Sequence, residues 1–166
     1  MNYKVPYETY LLAGLLLFLS LCGLYGGLCF IIDSSGRLLN LNSANYFNRA
    51  NDDFLIPGFV LLILFGIIPL LLIFPLLRKP HVKWANFLNI YARRYWAWTY
   101  TLFLGIFLVI WIDVQIWLMG YYSFYQILWS LYGLIIIFVC LLPAQVRFFS
   151  EWKISSMKSY EAKDRY

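Results

Sequence analysis

Charged residues are scarce in this sequence. Asp, Glu, Lys and Arg make up 13% of the 166 residues, whereas a typical soluble domain contains about 25%. Hydrophobic residues reach 63%, so the chain has too few polar side chains to cover a water-soluble core. The composition therefore excludes an ordinary soluble protein and indicates that lipid is the main solvent of the fold.

Residues that bind metals or carry redox chemistry are also few. The single histidine, His81, lies in a basic stretch, and no cluster of His, Cys and carboxylate residues has ligand spacing. The three cysteines include no C-x-x-C pair, and Cys22 and Cys29 on one helix would be about 10 Å apart, beyond disulfide reach. Nothing resembles a phosphate-binding glycine loop or a Ser/His/Asp arrangement. We therefore expect no enzyme activity, no metal and no cofactor.

Four long apolar runs dominate what the sequence does contain. They cover about residues 10–32, 54–77, 97–119 and 124–146. Each reaches the roughly 20 residues that a membrane-spanning helix needs, and all are too long for barrel strands. We predict an all-α integral membrane four-helix bundle, which forms a single domain over residues 1–166 and ends in a polar cytoplasmic tail at 147–166.

The distribution of Lys and Arg predicts the orientation of the bundle. These residues are concentrated between the second and third spans and after the fourth, and they are sparse or balanced by acids in the other connections. Because short loops rich in Lys and Arg stay in the cytoplasm, both termini are predicted to be cytoplasmic. Anionic lipid headgroups, rather than nucleic acid, are the expected counterions. The basic residues concerned are Arg78, Lys79, Lys83, Arg93 and Arg94.

The two long connections have distinct patterns. Residues 80–95 place aromatic and leucine side chains at helical spacing, which predicts an interfacial amphipathic helix before the third span. The external loop at 33–53 intersperses Asn with Leu and aromatic residues, and it is either a structural cap over the bundle or a binding lid. Its opening Asp-Ser-Ser-Gly predicts a turn in which Asp33 bonds a backbone N–H two residues on and Gly36 takes a positive φ.

Glycines and prolines predict helix contacts and bends. Gly23 and Gly27 form a G-x-x-x-G pair, which allows close packing against another span or against a second copy of the chain. Pro57 marks the start of the second span, since proline is tolerated in a first helical turn. Pro69 and Pro75 predict a bent helix, which is either an ordinary packed kink or the wall of a cavity.

Asp113 is the one charged side chain well inside a predicted span. An Asp at a helix centre costs roughly 2.5 to 3.5 kcal/mol on insertion scales, and such acids usually face the bundle interior and find a partner. Asp113 therefore has one of three roles. It is a structural residue that ties helices together, it forms a site for an ion, a proton or a ligand, or its side chain reaches to the membrane interface. The candidate partners at matching depth, or in the external loop, are Tyr25, Ser130, Tyr132, Arg37 and Arg49.

Three motifs resemble those of a group of small uncharacterised bacterial four-span membrane proteins. They are D-S-S-G at 33–36, D-F-L-I-P-G at 53–58 and W-I-D-V-Q at 111–115. In that group a Pro-Gly pair opens the second span and an acidic or amide residue commonly sits in the third. Residues 49–51, Arg-Ala-Asn, depart from the group, where a sequence such as Ser-Pro-Phe is expected. The resemblance implies a four-span architecture in a bacterial inner membrane, and it implies no activity.

Two functional hypotheses follow from these observations. The lack of a catalytic signature favours a non-enzymatic integral membrane protein that acts through contacts with partner proteins, lipids or further copies of itself. The alternative is a small transporter, channel or ligand sensor with a site around Asp113. The two differ in whether Asp113 faces an internal cavity that water can reach.

Overall fold

The computed structural model describes residues 5–39, 53–80, 94–119 and 124–150. They form four long helices, namely α1 (Tyr7–Ile32), α2 (Leu55–Arg78), α3 (Trp96–Met119) and α4 (Phe124–Leu141). All four are long and apolar enough to cross a membrane. The remaining described residues form turns and short helical stretches, which confirms the predicted all-α class. The segment predicted as an interfacial helix, and most of the external loop, lie outside the described residues.

The end of α4 differs from the predicted span. The sequence predicted a helix to Val146, whereas α4 ends at Leu141 and a separate helical stretch covers 143–150. Pro143 explains the break, because the residue before a proline avoids α-helical backbone and proline has no N–H to donate to the preceding turn. Two phenylalanines of the 143–150 stretch are buried. The region predicted as a polar tail therefore begins as part of the packed structure.

Three segments make up α2. An α-helix at Leu55–Val60 leads into a π-helix at Leu61–Ile67, and a second α-helix follows at Ile68–Arg78. Pro57 lies in the first turn, as predicted, where its missing N–H needs no helical partner. Pro69 lies at the start of the last segment. It cannot donate to the preceding turn and its ring crowds the carbonyl there, so it favours the wider π geometry on its N-terminal side.

The four helices form a ring in chain order. α1 packs against α2, α2 against α3, α3 against α4, and α4 against α1. The largest contacts are between α1 and α2 and between α3 and α4, so the fold consists of two antiparallel helical hairpins side by side. α1 and α3 lie on a diagonal of the ring, and their outer surfaces point in opposite directions. We call the end with Tyr7 and Trp96 the Tyr7 end, and the end with Ile32 and Met119 the Ile32 end.

Backbone contact at glycine holds the first hairpin together. A Cβ atom added at Gly23 would lie 2.4 Å from the backbone carbon of Phe65, and one at Gly27 would lie 2.6 Å from the backbone nitrogen of Leu62. Real Cβ atoms do not approach backbone so closely, so only glycine allows this separation between α1 and α2. The Gly23/Gly27 surface thus packs within the chain in this structure.

The second hairpin has a glycine contact of its own. A Cβ added at Gly105 would lie 3.2 Å from the carbonyl oxygen of Gly133, and one at Gly133 would lie 3.1 Å from the carbonyl oxygen of Gly105. This contact is not apparent from the sequence, because each glycine stands alone in its span. Thr101, one turn before Gly105, completes a small-x-x-x-small pattern. This pattern was the feature of the sequence that could have indicated the contact.

Candidate functional site

Asp113 lies on the outer surface of the bundle. It is exposed on α3, within a stripe of exposed apolar side chains that includes Ile110, Val114 and Trp117. Its carboxylate has no hydrogen-bond or ion-pair partner among the described residues. This position differs from the interior one that acids in membrane helices usually take. The stripe faces away from the ring, towards whatever surrounds the protein.

The three predicted partners from other helices occupy separate positions. Tyr25 on α1 is 65% exposed, and Ser130 on α4 is half-buried. Tyr132 on α4 donates a hydrogen bond of 2.7 Å from its hydroxyl to the carbonyl oxygen of Leu15 on α1. That bond joins the two hairpins. The structure therefore does not gather these side chains into one polar site around Asp113.

Arg37 pairs within its own turn. Its Nε lies 3.6 Å from Asp33 Oδ2 and donates to the Ser35 hydroxyl at 2.9 Å. Asp33 Oδ1 accepts from the backbone N–H of Ser35 at 3.1 Å, and Gly36 has a φ of 81°, which confirms the predicted turn. The Ser35 hydroxyl, with the Ser35 N–H and Arg37, holds the pKa of Asp33 below its ordinary value. Arg49 lies outside the described residues.

Two side chains donate hydrogen bonds to backbone carbonyls where a helix is irregular. Neither was predicted from the sequence. Ser20 on α1 donates to the carbonyl of Gly66 at 2.7 Å, where the π-helix of α2 approaches Pro69. Trp98 on α3 donates through its indole N–H to the carbonyl of Cys140 at 2.9 Å, where α4 ends. Carbonyls in hydrocarbon have no water to bond. The two donors therefore make the irregular backbone tolerable in a membrane.

A fully buried polar pair lies at the Tyr7 end. Thr9 near the start of α1 donates to Gln145 Oε1 at 3.2 Å, and both residues have no exposed surface. Gln145 Nε2 is buried and has no acceptor among the described residues. The hydrogen bond fixes the 143–150 stretch against α1. Its two partners are 136 positions apart in the chain, and no local pattern in the sequence pointed to their pairing.

Two basic residues that were predicted to face lipid headgroups also contact aromatic rings. Lys79 Nζ lies 3.2 Å from the centre of the Phe148 ring, and the Arg94 guanidinium carbon lies 4.6 Å from that of Trp98. Partial burial lowers the pKa of Lys79 to about 8. The contact with the Phe148 ring favours the charged amine and opposes that shift. These contacts hold Lys79 against the 143–150 stretch and Arg94 against α3.

Two shallow apolar grooves flank Gly14 on the outside of α1. One, of about 460 Å³, lies between α1 and α2 and has Arg78 among its lining residues. The other, of about 440 Å³, lies between α1 and α4 and includes Tyr10. Arg78 is exposed and has no partner among the described residues. Lys83 and Arg93 lie outside them.

The four apolar helices place the chain in the class of helical membrane proteins. In comparisons with known proteins, no protein-family model, curated protein or solved structure matches this chain.

Proposed function

We propose that this chain is a non-enzymatic integral membrane protein that acts through contacts with partner proteins or lipids. The observation that carries the proposal is the position of Asp113. A transport path or internal ligand site needs its polar groups to face a cavity within the bundle, whereas Asp113 is exposed on the outside of α3. An outward-facing acid suits a protein that presents polar chemistry to a neighbouring molecule.

The interior of the bundle supports the same proposal. Two of the buried polar side chains, Thr9 and Ser20, make bonds between helical segments rather than lining an open path. Asp113 lines neither of the grooves that flank Gly14. Large apolar side chains fill the centre of the ring, including Leu12, Leu16, Leu19, Phe65, Leu76 and Ile136.

The proposal includes an orientation with both termini in the cytoplasm of a bacterial inner membrane, as the Lys and Arg distribution and the resemblance to small bacterial four-span proteins suggest. In that orientation Arg78 lies at the level of the anionic headgroups of the cytoplasmic leaflet. The groove between α1 and α2 beside Arg78 is apolar. A lipid whose acyl chain occupies this groove would bring its phosphate to the unpartnered guanidinium, which supports lipid contact at this position.

Reconstitution distinguishes this proposal from the transporter, channel or sensor alternative. We expect purified protein in liposomes of phosphatidylethanolamine and phosphatidylglycerol to show no proton or ion flux that depends on Asp113. Native mass spectrometry after mild extraction should retain a second chain or an anionic lipid, and Arg78→Ala should reduce the retained lipid. A flux that Asp113→Asn abolishes, at an unchanged melting temperature, would refute the proposal.

A further inference from the structure

Asp113 needs a hydrogen-bond donor that its own chain does not supply among the described residues. An ionised carboxylate only accepts hydrogen bonds, and a protonated one still has an oxygen to satisfy. In hydrocarbon no water serves these oxygens. Ile110 and Val114 beside it on α3 are apolar, and the exposed Trp117, one turn further on, has an indole N–H that makes no bond to the carboxylate. The donor is therefore expected from a molecule that lies against this face of α3.

Tyr25 on α1 carries a hydrogen-bond donor without an acceptor among the described residues. Its side chain is 65% exposed. The exposed residues one turn away in either direction, Leu21 and Leu28, are apolar. A phenol in this setting has a proton to donate, and a carboxylate is a stronger acceptor for it than any neutral side chain.

The acceptor and the donor lie at similar distances from the C-terminal ends of their helices. α1 and α3 both run from the Tyr7 end to the Ile32 end of the bundle. Tyr25 precedes Ile32 by seven positions, and Asp113 precedes Met119 by six. With a rise of about 1.5 Å per residue, the two side chains start about 10 Å and about 9 Å from the same end. They would therefore be level if two copies stood side by side in one bilayer.

The two side chains cannot meet within one copy, because α1 and α3 lie on a diagonal of the ring and face outwards in opposite directions. We propose that copies of this chain associate head to tail in the membrane, so that the Asp113 face of α3 on one copy lies against the Tyr25 face of α1 on the next. The Tyr25 hydroxyl donates to the Asp113 carboxyl group. This inference rests on the proposed function and names a second copy as the partner. Such an interface forms a closed ring, or an open row if the rotation does not close.

Cross-linking between differently tagged copies tests the pairing. Cys22, Cys29 and Cys140 are replaced by Ala, and one copy then carries Tyr25→Cys while the other carries Asp113→Cys. A short bismaleimide is needed, because a tyrosine–carboxylate hydrogen bond holds the Cα atoms beyond the roughly 7 Å of a disulfide. We expect links between the two kinds of copy in liposomes. Leu131→Cys, exposed at a similar depth on α4, replaces Asp113→Cys as the matched control and should give few.

Links only between two Tyr25→Cys copies, or only between two Asp113→Cys copies, would overturn the head-to-tail arrangement. Equal yields with Leu131→Cys would also overturn it, since they would indicate random collision. Melting temperatures of the Cys-free and Cys-containing proteins show whether each variant retains the fold. Energy transfer between fluorescently labelled copies with native cysteines provides a measurement that does not depend on the Cys-free background.

That second measurement also tests the bond itself. Tyr25→Phe and Asp113→Leu should each weaken association roughly 3- to 20-fold, the range for polar contacts between membrane helices. If the two side chains bond each other, the double variant should be no weaker than either single variant. Asp113→Asn keeps an acceptor oxygen and should weaken association least. Fully additive losses, or association that none of the variants alters, would refute the bond.

Failure of this inference can be separated from failure of the proposed function. Single copies in dilute liposomes, together with an anionic lipid retained in native mass spectrometry, would refute self-association and leave the contact role standing. Head-to-tail links together with an Asp113-dependent flux would support self-association and refute the proposed contact role. In that case the interface would exist but would serve transport.

Discussion

The spacing between α1 and α2 gives the sharpest prediction, because neighbouring glycines on α1 provide a matched pair. A Cβ added at Gly27 would lie 2.6 Å from the backbone nitrogen of Leu62, whereas one added at Gly26 would lie 3.8 Å from the end of the Leu61 side chain. The second distance is an ordinary contact. We therefore expect Gly27→Ala to force the helices apart and Gly26→Ala to leave them in place.

The cost of this separation follows from the distances. Ordinary Cβ contacts begin near 3.4 Å, so relief at Gly27 requires a shift of 3.4 − 2.6, or 0.8 Å. Overpacking of a well-packed interface costs about 1 to 3 kcal/mol. Alanine also stabilises a helix by about 0.5 to 1 kcal/mol relative to glycine, but both variants share that gain. Their difference in the free energy of unfolding should therefore be about 1 to 3 kcal/mol.

Melting temperatures in one detergent measure this difference. At about 2 to 4 °C per kcal/mol for a chain of this size, Gly27→Ala should melt about 2 to 12 °C below Gly26→Ala. Gly23→Ala should behave like Gly27→Ala. Gly14→Ala, where no atom lies within 4 Å of the added Cβ, should match or exceed the native protein. If Gly27→Ala melts at or above Gly26→Ala, the close backbone contact does not exist.

Three further predictions concern the Tyr7 end and the orientation. The pKa of Lys79 falls from 10.5 to about 8, so between those pH values the unfolded chain binds more protons than the folded one and the free energy of unfolding should rise with pH. Lys79→Met should remove the corresponding rise in melting temperature. If the melting temperature of Lys79→Met rises with pH as steeply as that of the native protein, Lys79 is not the group responsible. Trp98→Phe leaves the Cys140 carbonyl without its donor and should cost about 1 to 3 kcal/mol on thermal unfolding. The cost should shrink in a Pro143→Ala background, where the helix can continue, and equal costs in both would argue against this role. A cysteine introduced at Ser43 in a Cys-free protein should react only with reagents on the outside of the membrane, and labelling from the cytoplasm alone would reverse the orientation.

Features encoded within one short segment could be predicted from the sequence. Asp33 and Gly36 define their turn through their own side-chain chemistry and backbone freedom. Pro57 marks the start of α2 because a proline is favourable only in a first helical turn. The four helices follow from the lengths of the apolar runs. Each of these inferences depends on a few adjacent residues and on the surrounding lipid.

The lateral arrangement of the helices could not be predicted in this way. α1 and α3 are apolar on all sides, and lipid tails are as apolar as leucine, so no hydrophobic stripe distinguishes the core face from the outer face. The outward position of Asp113 and the contact of Gly105 with Gly133 both depend on that choice of face. The bond between Thr9 and Gln145 depends in addition on the bend at Pro143, which brings the end of the described chain back onto α1.

The order of donors and acceptors along the chain bears on how the protein enters the bilayer during synthesis. Ser20 precedes Gly66, and Trp98 precedes Cys140, so each of these carbonyls reaches the membrane after the helix that carries its donor. Both bonds lie within a hairpin. Because a chain emerges from its N-terminus onwards, each hairpin can enter hydrocarbon with these carbonyls already bonded, and the first need not wait for the second. The bonds from Tyr132 to Leu15 and from Thr9 to Gln145 link the first hairpin to the second half of the chain, so they can form only after α4 and the 143–150 stretch have followed.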